Sequence, residues 1–332
     1  MEEATTNTPP PSSSEQLEEF RNWLELPTEV TATILHKVGA FDILNHAQKV
    51  CTSWLNICKD PSMWRSIDTH ESNAYGDYWF DTEGMARHAV DRSCGQLVDI
   101  NIEYFGTDEF IHYLAQHANQ LRRLRLVSCH CVTADVLKET ASKFPYLEEL
   151  EVQSTPFSTA AVEAVGRSCP RMKSLKSNAL GYSPQQAHHD DVAYVIAETM
   201  PQLCHLQLVG NKMTNGGLKV ILDGCLCLES LDLRGSYFIN EEVDNLGKIC
   251  SERIKTVRFP MDPIGEDEFR GKVMEHDQYS YGSLDSYFDY SDHFDDEVPS
   301  DYDDGDLFFD GEDDIFVDEL FDEGEEDEWP WM

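Results

Sequence analysis

Four short clusters in this sequence combine the residue types that bind metals or attack electrophiles: Cys129-His130-Cys131, Cys204-His205, Cys225-Leu226-Cys227 and His188-His189. A structural zinc site needs four nitrogen or sulfur ligands converging as a tetrahedron. These cysteines recur with a repeat described below, so they fall on successive turns of a stack and not at one point. A cysteine nucleophile needs a lowered pKa and an activating neighbour. Cys51 and Cys58 lie outside the repeat, but both fall on apolar helix faces. The stretch DYDDGDLFFDGE (301–312) has the carboxylates of a calcium loop, yet Gly305 takes the fifth place, where such a loop has a ligand. The expectation is a chain with no metal, no cofactor and no catalytic group of its own.

Composition sharpens that expectation. Of 332 residues, 63 are acidic and 25 basic, giving a formal charge of −38. The charge is segregated: residues 275–332 hold 24 acids and no lysine or arginine, leaving 39 acids against 25 bases before them. Neither part offers a basic footprint for phosphates, which argues against nucleic acid as a partner. No apolar run approaches the ~18 residues of a membrane span, and the first 20 residues are polar, unlike a secretion signal. Ten cysteines then read as reduced thiols of a nuclear and/or cytoplasmic protein.

The elements that position these residues are of two kinds. From Trp23 to Asp68 the chain reads as three or four short helices. Pro27 suits a first helical turn. Val30, Ile34, Leu35 and Val38 recur at helical spacing, and Gly39 ends the run. Asp42 is expected to cap a second helix. Val50, Trp54, Ile57 and Cys58 form an apolar face on a third, stopped at Asp60-Pro61. So small a bundle must pack on the rest of the chain or on a partner.

From Leu97 a phrase L-x-x-L-x-L recurs: LVDINI (97–102), LRRLRL (121–126), LEELEV (147–152), MKSLKS (172–177), LCHLQL (203–208), LESLDL (228–233) and IKTVRF (254–259). Start-to-start distances are 24, 26, 25, 31, 25 and 26 residues, and a helix follows most phrases. Positions one, four and six of each phrase face a core between strands and helices; two, three and five face out. Cys94, Cys169 and Cys225 each lie three residues before a phrase, Cys250 lies four before, and Cys129 sits where one ends, so these are expected to be core thiols. Ser177 breaks the apolar pattern and predicts a frayed fourth strand, with a loop from 178 to 189.

The order Leu26-Pro27-x-Glu29-Val30, Ile34-Leu35, Asp42-Ile43-Leu44, Val50-Cys51, Trp54, Asp60-Pro61-Ser62-Met63-Trp64-Arg65 resembles the F-box. The phrases resemble leucine-rich repeats of the cysteine-containing class, and the pairing resembles the compact plant F-box/leucine-rich-repeat proteins. The resemblance implies an α/β fold: a three- to four-helix F-box bundle followed by a solenoid with parallel strands inside and helices outside; the composition of the acidic C-terminal stretch adds a disordered tail. The boundaries follow as 1–20 for a disordered leader, 21–68 for the F-box, 69–262 for the solenoid and 263–332 for the tail. Trp64–Ile67 could already belong to a capping repeat.

The function implied is recognition and delivery. The resemblance assigns docking on an SKP-family adaptor, and through it a cullin and a RING subunit, to Leu26, Pro27, Ile34, Leu35, Ile43 and Leu44, with Val50 and Trp54 holding the helices together. Repeat proteins commonly bind on the concave side, which assigns a protein target to Arg123, Arg125, Glu149, Glu151, Lys176, His205, Gln207, Asp232 and Arg258. Arg122, Arg123, Arg125, Lys173 and Lys176 make the most basic zone of the body, onto which the anionic tail is expected to fold. The other reading is an adaptor-binding protein outside any ligase, or a chaperone or scaffold working through its acidic, aromatic tail.

Overall fold

The computed structural model describes Trp23 and residues 26–70, 81–178 and 190–265. The leader, the loop carrying His188-His189 and nearly all of the tail lie outside the described residues.

The N-terminal stretch folds into α1 (Thr28–Val38), α2 (Ala40–Asn45) and α3 (Thr52–Cys58). The carbonyl of Pro27 accepts the amides of Val30 and Thr31, which starts α1. Gly39, at φ 94°, ends α1 and begins α2. That backbone angle strongly favours glycine, and it corrects the expectation for Asp42. Because the turn at Gly39 starts α2 at Ala40, Asp42 lies inside the first turn and not at the N-cap, which is Gly39. Asp60 accepts the Ser62 amide at 2.9 Å and caps the 3-10 turn Pro61–Trp64.

Eight parallel strands follow in one sheet, ordered as in the sequence. They are β1 (Ser66–Asp68), β2 (Asp99–Glu103), β3 (Arg123–Val127), β4 (Glu149–Gln153), β5 (Ser174–Asn178), β6 (His205–Gln207), β7 (Ser230–Asp232) and β8 (Thr256–Arg258). Between them run α4 (Thr82–Arg92), α5 (Asp108–His117), α6 (Val136–Thr140), α7 (Thr159–Ser168), α8 (Asp191–Thr199), α9 (Asn215–Gly224) and α10 (Leu246–Arg253). β1 pairs with β2, so the first unit begins within the helical stretch, at Ser66.

The phrases hold the stack together. Position four reads Ile100, Leu124, Leu150, Leu175, Leu206 and Leu231, each no more than 1% exposed. Burying a side chain of this size contributes about 1.5–3 kcal/mol, repeated once per unit. Contrary to the sequence expectation, β5 is not frayed: it keeps five residues in register with β4 despite Ser177. Leu175 fills its core place, and the backbone ladder does not depend on position six.

Just past β2, β3, β4, β6 and β7, the chain turns with a left-handed residue at position eight: Tyr104, Ser128, Ser154, Gly210 and Gly235, at φ between 48° and 72°. The amide of each donates to a carbonyl of the next unit at 2.9–3.1 Å, which extends the ladder through the turn. The cysteine slot is also periodic, but its register differs from expectation at one end. Ser93, Ala118, Phe144, Cys169, Met200, Cys225 and Cys250 occupy it, all at most 2% exposed. Cys94 does not: it is exposed at φ 48°, because an added residue before Leu97 gives the buried place to Ser93.

The F-box-like helices do not stand apart from this stack. Leu35, Ile43, Leu44, Ile57, Met63, Trp64 and Ile67 belong to the same buried cluster as Ala86, Ala89 and Val90 of α4. Asn45 of α2 lies 3.9 Å from the Met85 sulfur of α4.

Candidate functional sites

The N-terminal site is a stripe along α1. Val30 and Ile34 sit one turn apart, with Leu26 and Pro27 leading into them. Leu26 and Val30 are 36% and 43% exposed, Pro27 is exposed and Ile34 half-buried. Trp23 adds a further exposed aromatic ring. The structure divides the residues expected to meet an adaptor. Leu35, Ile43 and Leu44 are at most 6% exposed and face the shared core, so their side chains are not presented to a partner. Val50 does not hold the helices together: it is 63% exposed, while Trp54 is half-buried against the core. Val30, outside the expected set, is exposed on this stripe where Leu35 is buried. The i, i+4 spacing of Leu26, Val30 and Ile34 is the signal that finds it.

The second site is the concave face of the sheet. Strand register places the outward residues in two rows: Asp99, Arg123, Glu149, Ser174, His205, Ser230 and Thr256; then Asn101, Arg125, Glu151, Lys176, Gln207, Asp232 and Arg258. On β2–β5 the charges neutralise one another. Arg123 binds Asp99 at 2.6 Å. Arg125 reaches Glu103 at 2.7 Å and Glu151 at 3.0 Å, and Lys176 meets Glu151 at 3.1 Å. Beside them, Glu148 joins Arg122 at 3.2 Å and Lys173 at 2.7 Å. Burial opposes the charge on Arg125, yet Glu151 and then Glu103 outweigh it and raise its pKa. The hydrogen bond from Lys173 holds the Glu148 carboxyl below its ordinary range. The basic zone expected at Arg122, Arg123, Arg125, Lys173 and Lys176 is therefore not positive: Asp99, Glu103, Glu148, Glu149 and Glu151 stand among its cations. Adjacent units bring residues 22–26 apart side by side, so the neutralising acids were present in the sequence at that spacing.

Towards β8 the face opens into a cleft of about 430 Å³. Six of the nine residues expected to meet a target line it: Glu149, Lys176, His205, Gln207, Asp232 and Arg258. Arg123, Arg125 and Glu151 lie outside it, within the paired zone. Ser174, Ser230 and Thr256, at outward position three but outside the set expected to meet a target, also line it, and their side chains are short. Sequence reasoning missed Arg234, buried at position seven, which holds Asp232 through Nε at 2.9 Å and Nη2 at 2.6 Å.

Comparison with known proteins places the chain in a family. Residues 23–70 match the F-box-like family model. Over 92% of its length the chain is 44% identical to F-box protein SKIP19 of Arabidopsis thaliana, covering 99% of that protein. It is 41% identical to F-box/LRR-repeat protein 21 of the same plant, over 77% of this chain and 87% of that protein. The chain belongs to the F-box/leucine-rich-repeat family. A third relative, F-box/LRR-repeat protein 23 of Arabidopsis thaliana, is 48% identical over 77% of this chain, which spans 57% of that protein's length.

The F-box match runs from Trp23 into β1 and ends at His70. The first strand of the leucine-rich repeats thus lies within the F-box segment, as the shared core requires. Within the repeats the thiols are structural in character. Burial pushes Cys129 and Cys169 up to about 12 and Cys225 up to about 11. A thiol held protonated is a poor nucleophile and a poor metal ligand. Cys131 and Cys227, two residues after buried partners in sequence, are exposed. Among the described residues no three His, Cys, Asp or Glu side chains gather as a metal site.

Proposed function

We propose that this chain is the target-recognition subunit of an SKP–cullin–F-box type ubiquitin ligase, acting in the nucleus or cytoplasm. The observation that carries the reading is the apolar stripe on α1, where Leu26, Pro27 and Val30 are exposed and Ile34 is half-buried above a buried F-box core of Leu35, Ile43 and Leu44. Exposed apolar surface of this kind marks a protein interface. An SKP-family adaptor covers it, and the adaptor brings a cullin and a RING subunit. The concave face of the leucine-rich repeats holds the target protein. The F-box and the first repeat share one core, so the target is held at a fixed place relative to the adaptor. That placement raises the effective concentration of target lysines near the charged conjugating enzyme. The chain supplies position, and other subunits supply the chemistry.

Titration calorimetry of the full chain with a purified SKP-family adaptor tests the docking step, and reconstitution with cullin and RING subunits tests the assembly. Saturable adaptor binding that is lost in Ile34→Glu is the expected result. An intact, folded chain that ignores the adaptor overturns the reading. A chain that binds adaptor but never enters a cullin complex overturns the ligase part of it.

A further inference from the structure

The charges on the concave face alternate from strand to strand, and in one row the alternation breaks. On β4, Glu151 is flanked by Arg125 on one side and Lys176 on the other. Glu148 is flanked in the same way by Arg122 and Lys173. Glu149 lies in the row between them. Register puts Arg123 on one side of it, but on the other side Ser174 stands where the neighbouring rows have a lysine. Arg123 pairs with Asp99 at 2.6 Å and feels Glu149 only as a weaker charge beyond ion-pair distance. Among the described residues no cation lies within ion-pair distance of the exposed Glu149 carboxylate. That carboxylate and Ser174 both line the cleft.

We propose that the place beside Glu149, over Ser174, is a socket for one lysine or arginine side chain of an extended target segment. A cation there completes the third row in the pattern of the other two. Ser174, 7% exposed, leaves the depth a long side chain needs. From β4 to β8 is four strand spacings, about 19 Å, which an extended segment of about six residues spans. Along that line the hydroxyls of Ser174, Ser230 and Thr256 make no side-chain bond with a described residue and can serve the main chain of the segment. The proposal rests on the concave face being the target-binding part, and names the chemistry it selects.

The test uses the full chain on arrays of random ten-residue peptides with the central residue fixed as lysine, arginine, citrulline or glutamate. At low salt, lysine and arginine arrays should retain the protein about tenfold better than citrulline, an ion-pair difference of about 1.4 kcal/mol. Glu149→Gln should abolish that preference, and Glu149→Lys should invert it towards glutamate. Ser174→Lys, which supplies the missing ammonium internally, should also abolish it. Melting curves and adaptor binding of the variants should match the parent. Indifference of the parent to the central residue overturns the proposal, as does a preference that survives Glu149→Gln. The arrays need no adaptor, so failure of adaptor docking would sink the ligase reading and leave this result standing.

Discussion

The indole N–H of Trp64 donates to the carbonyl oxygen of Cys58 at 2.8 Å, deep in the junction between F-box and repeats. Trp64 is 1% exposed, and the Arg92 guanidinium of α4 lies 5.5 Å over its ring. One residue thus closes the end of α3, fills the joint core and receives a cation from the first repeat helix.

Trp64→Ala should therefore cost about 3–5 kcal/mol, the usual range for emptying an aromatic core site. Trp64→Phe should cost about 1 kcal/mol, for the lost hydrogen bond, beyond its smaller volume. Denaturant unfolding followed by far-ultraviolet dichroism checks both. The parent should unfold in one step through F-box and first repeats, and a second, independent F-box transition would contradict a shared core.

The stripe on α1 and the core beneath it should separate cleanly by mutation. Val30→Glu and Ile34→Glu should remove adaptor binding and leave the melting temperature within a few degrees of the parent. Ile43→Glu, at a site 2% exposed, buries a charge without a partner and should unfold the F-box. Paired calorimetry and thermal melts distinguish surface from core.

Arg234 is 2% exposed and grips Asp232, itself 6% exposed. Arg234→Met leaves a buried carboxylate without its main partner, a loss of about 3–5 kcal/mol for a buried pair. Replacing both, with Asp232→Leu added, should recover much of that stability. A double-mutant cycle in urea measures the coupling, and simple additivity would show that the pair does not act as a unit.

The buried thiols predict a pH dependence with a definite sign. Cys129, Cys169 and Cys225 ionise near 9 when unfolded, against about 12, about 12 and about 11 in the fold. Their folded pKa is raised, so their contribution is complete below pH ~9 and is lost as the pH climbs from there through the folded values. Stability should fall on that limb, and Cys129→Ala should flatten it. At pH 8, alkylation followed by mass spectrometry should mark the exposed Cys94, Cys131 and Cys227 first. Early labelling of Cys129 would contradict its burial.

Much of this architecture is legible in the chain because the repeat is written in residue type. The seven phrases gave seven of the eight strands, their order and the rows of outward residues, since the period fixes which side chains become neighbours. What escaped depends on the third dimension. Cys94 was misplaced because a single added residue moves the buried slot, and only the capping turn reveals which residue fills it. Leu35, Ile43 and Leu44 read as an adaptor face because a motif does not say which apolar side chains the neighbouring helix α4 has already covered. The neutral zone around Arg125 was mistaken for a basic one because the cations were counted without the acids one repeat away. Ser174 and Ser230 fall at outward position three, but the sequence does not say that their small size opens a cleft between longer neighbours.

The common core that runs from α1 into the first repeat helices has a geometric corollary. Because the described residues of the F-box and the repeats share one core and one sheet, they behave as a gauge whose length is counted in units, each adding about 4.8 Å along the sheet. Inserting or removing one unit would carry the grip on the target to a new height and heading above the ligase, and with it change which lysines come within reach.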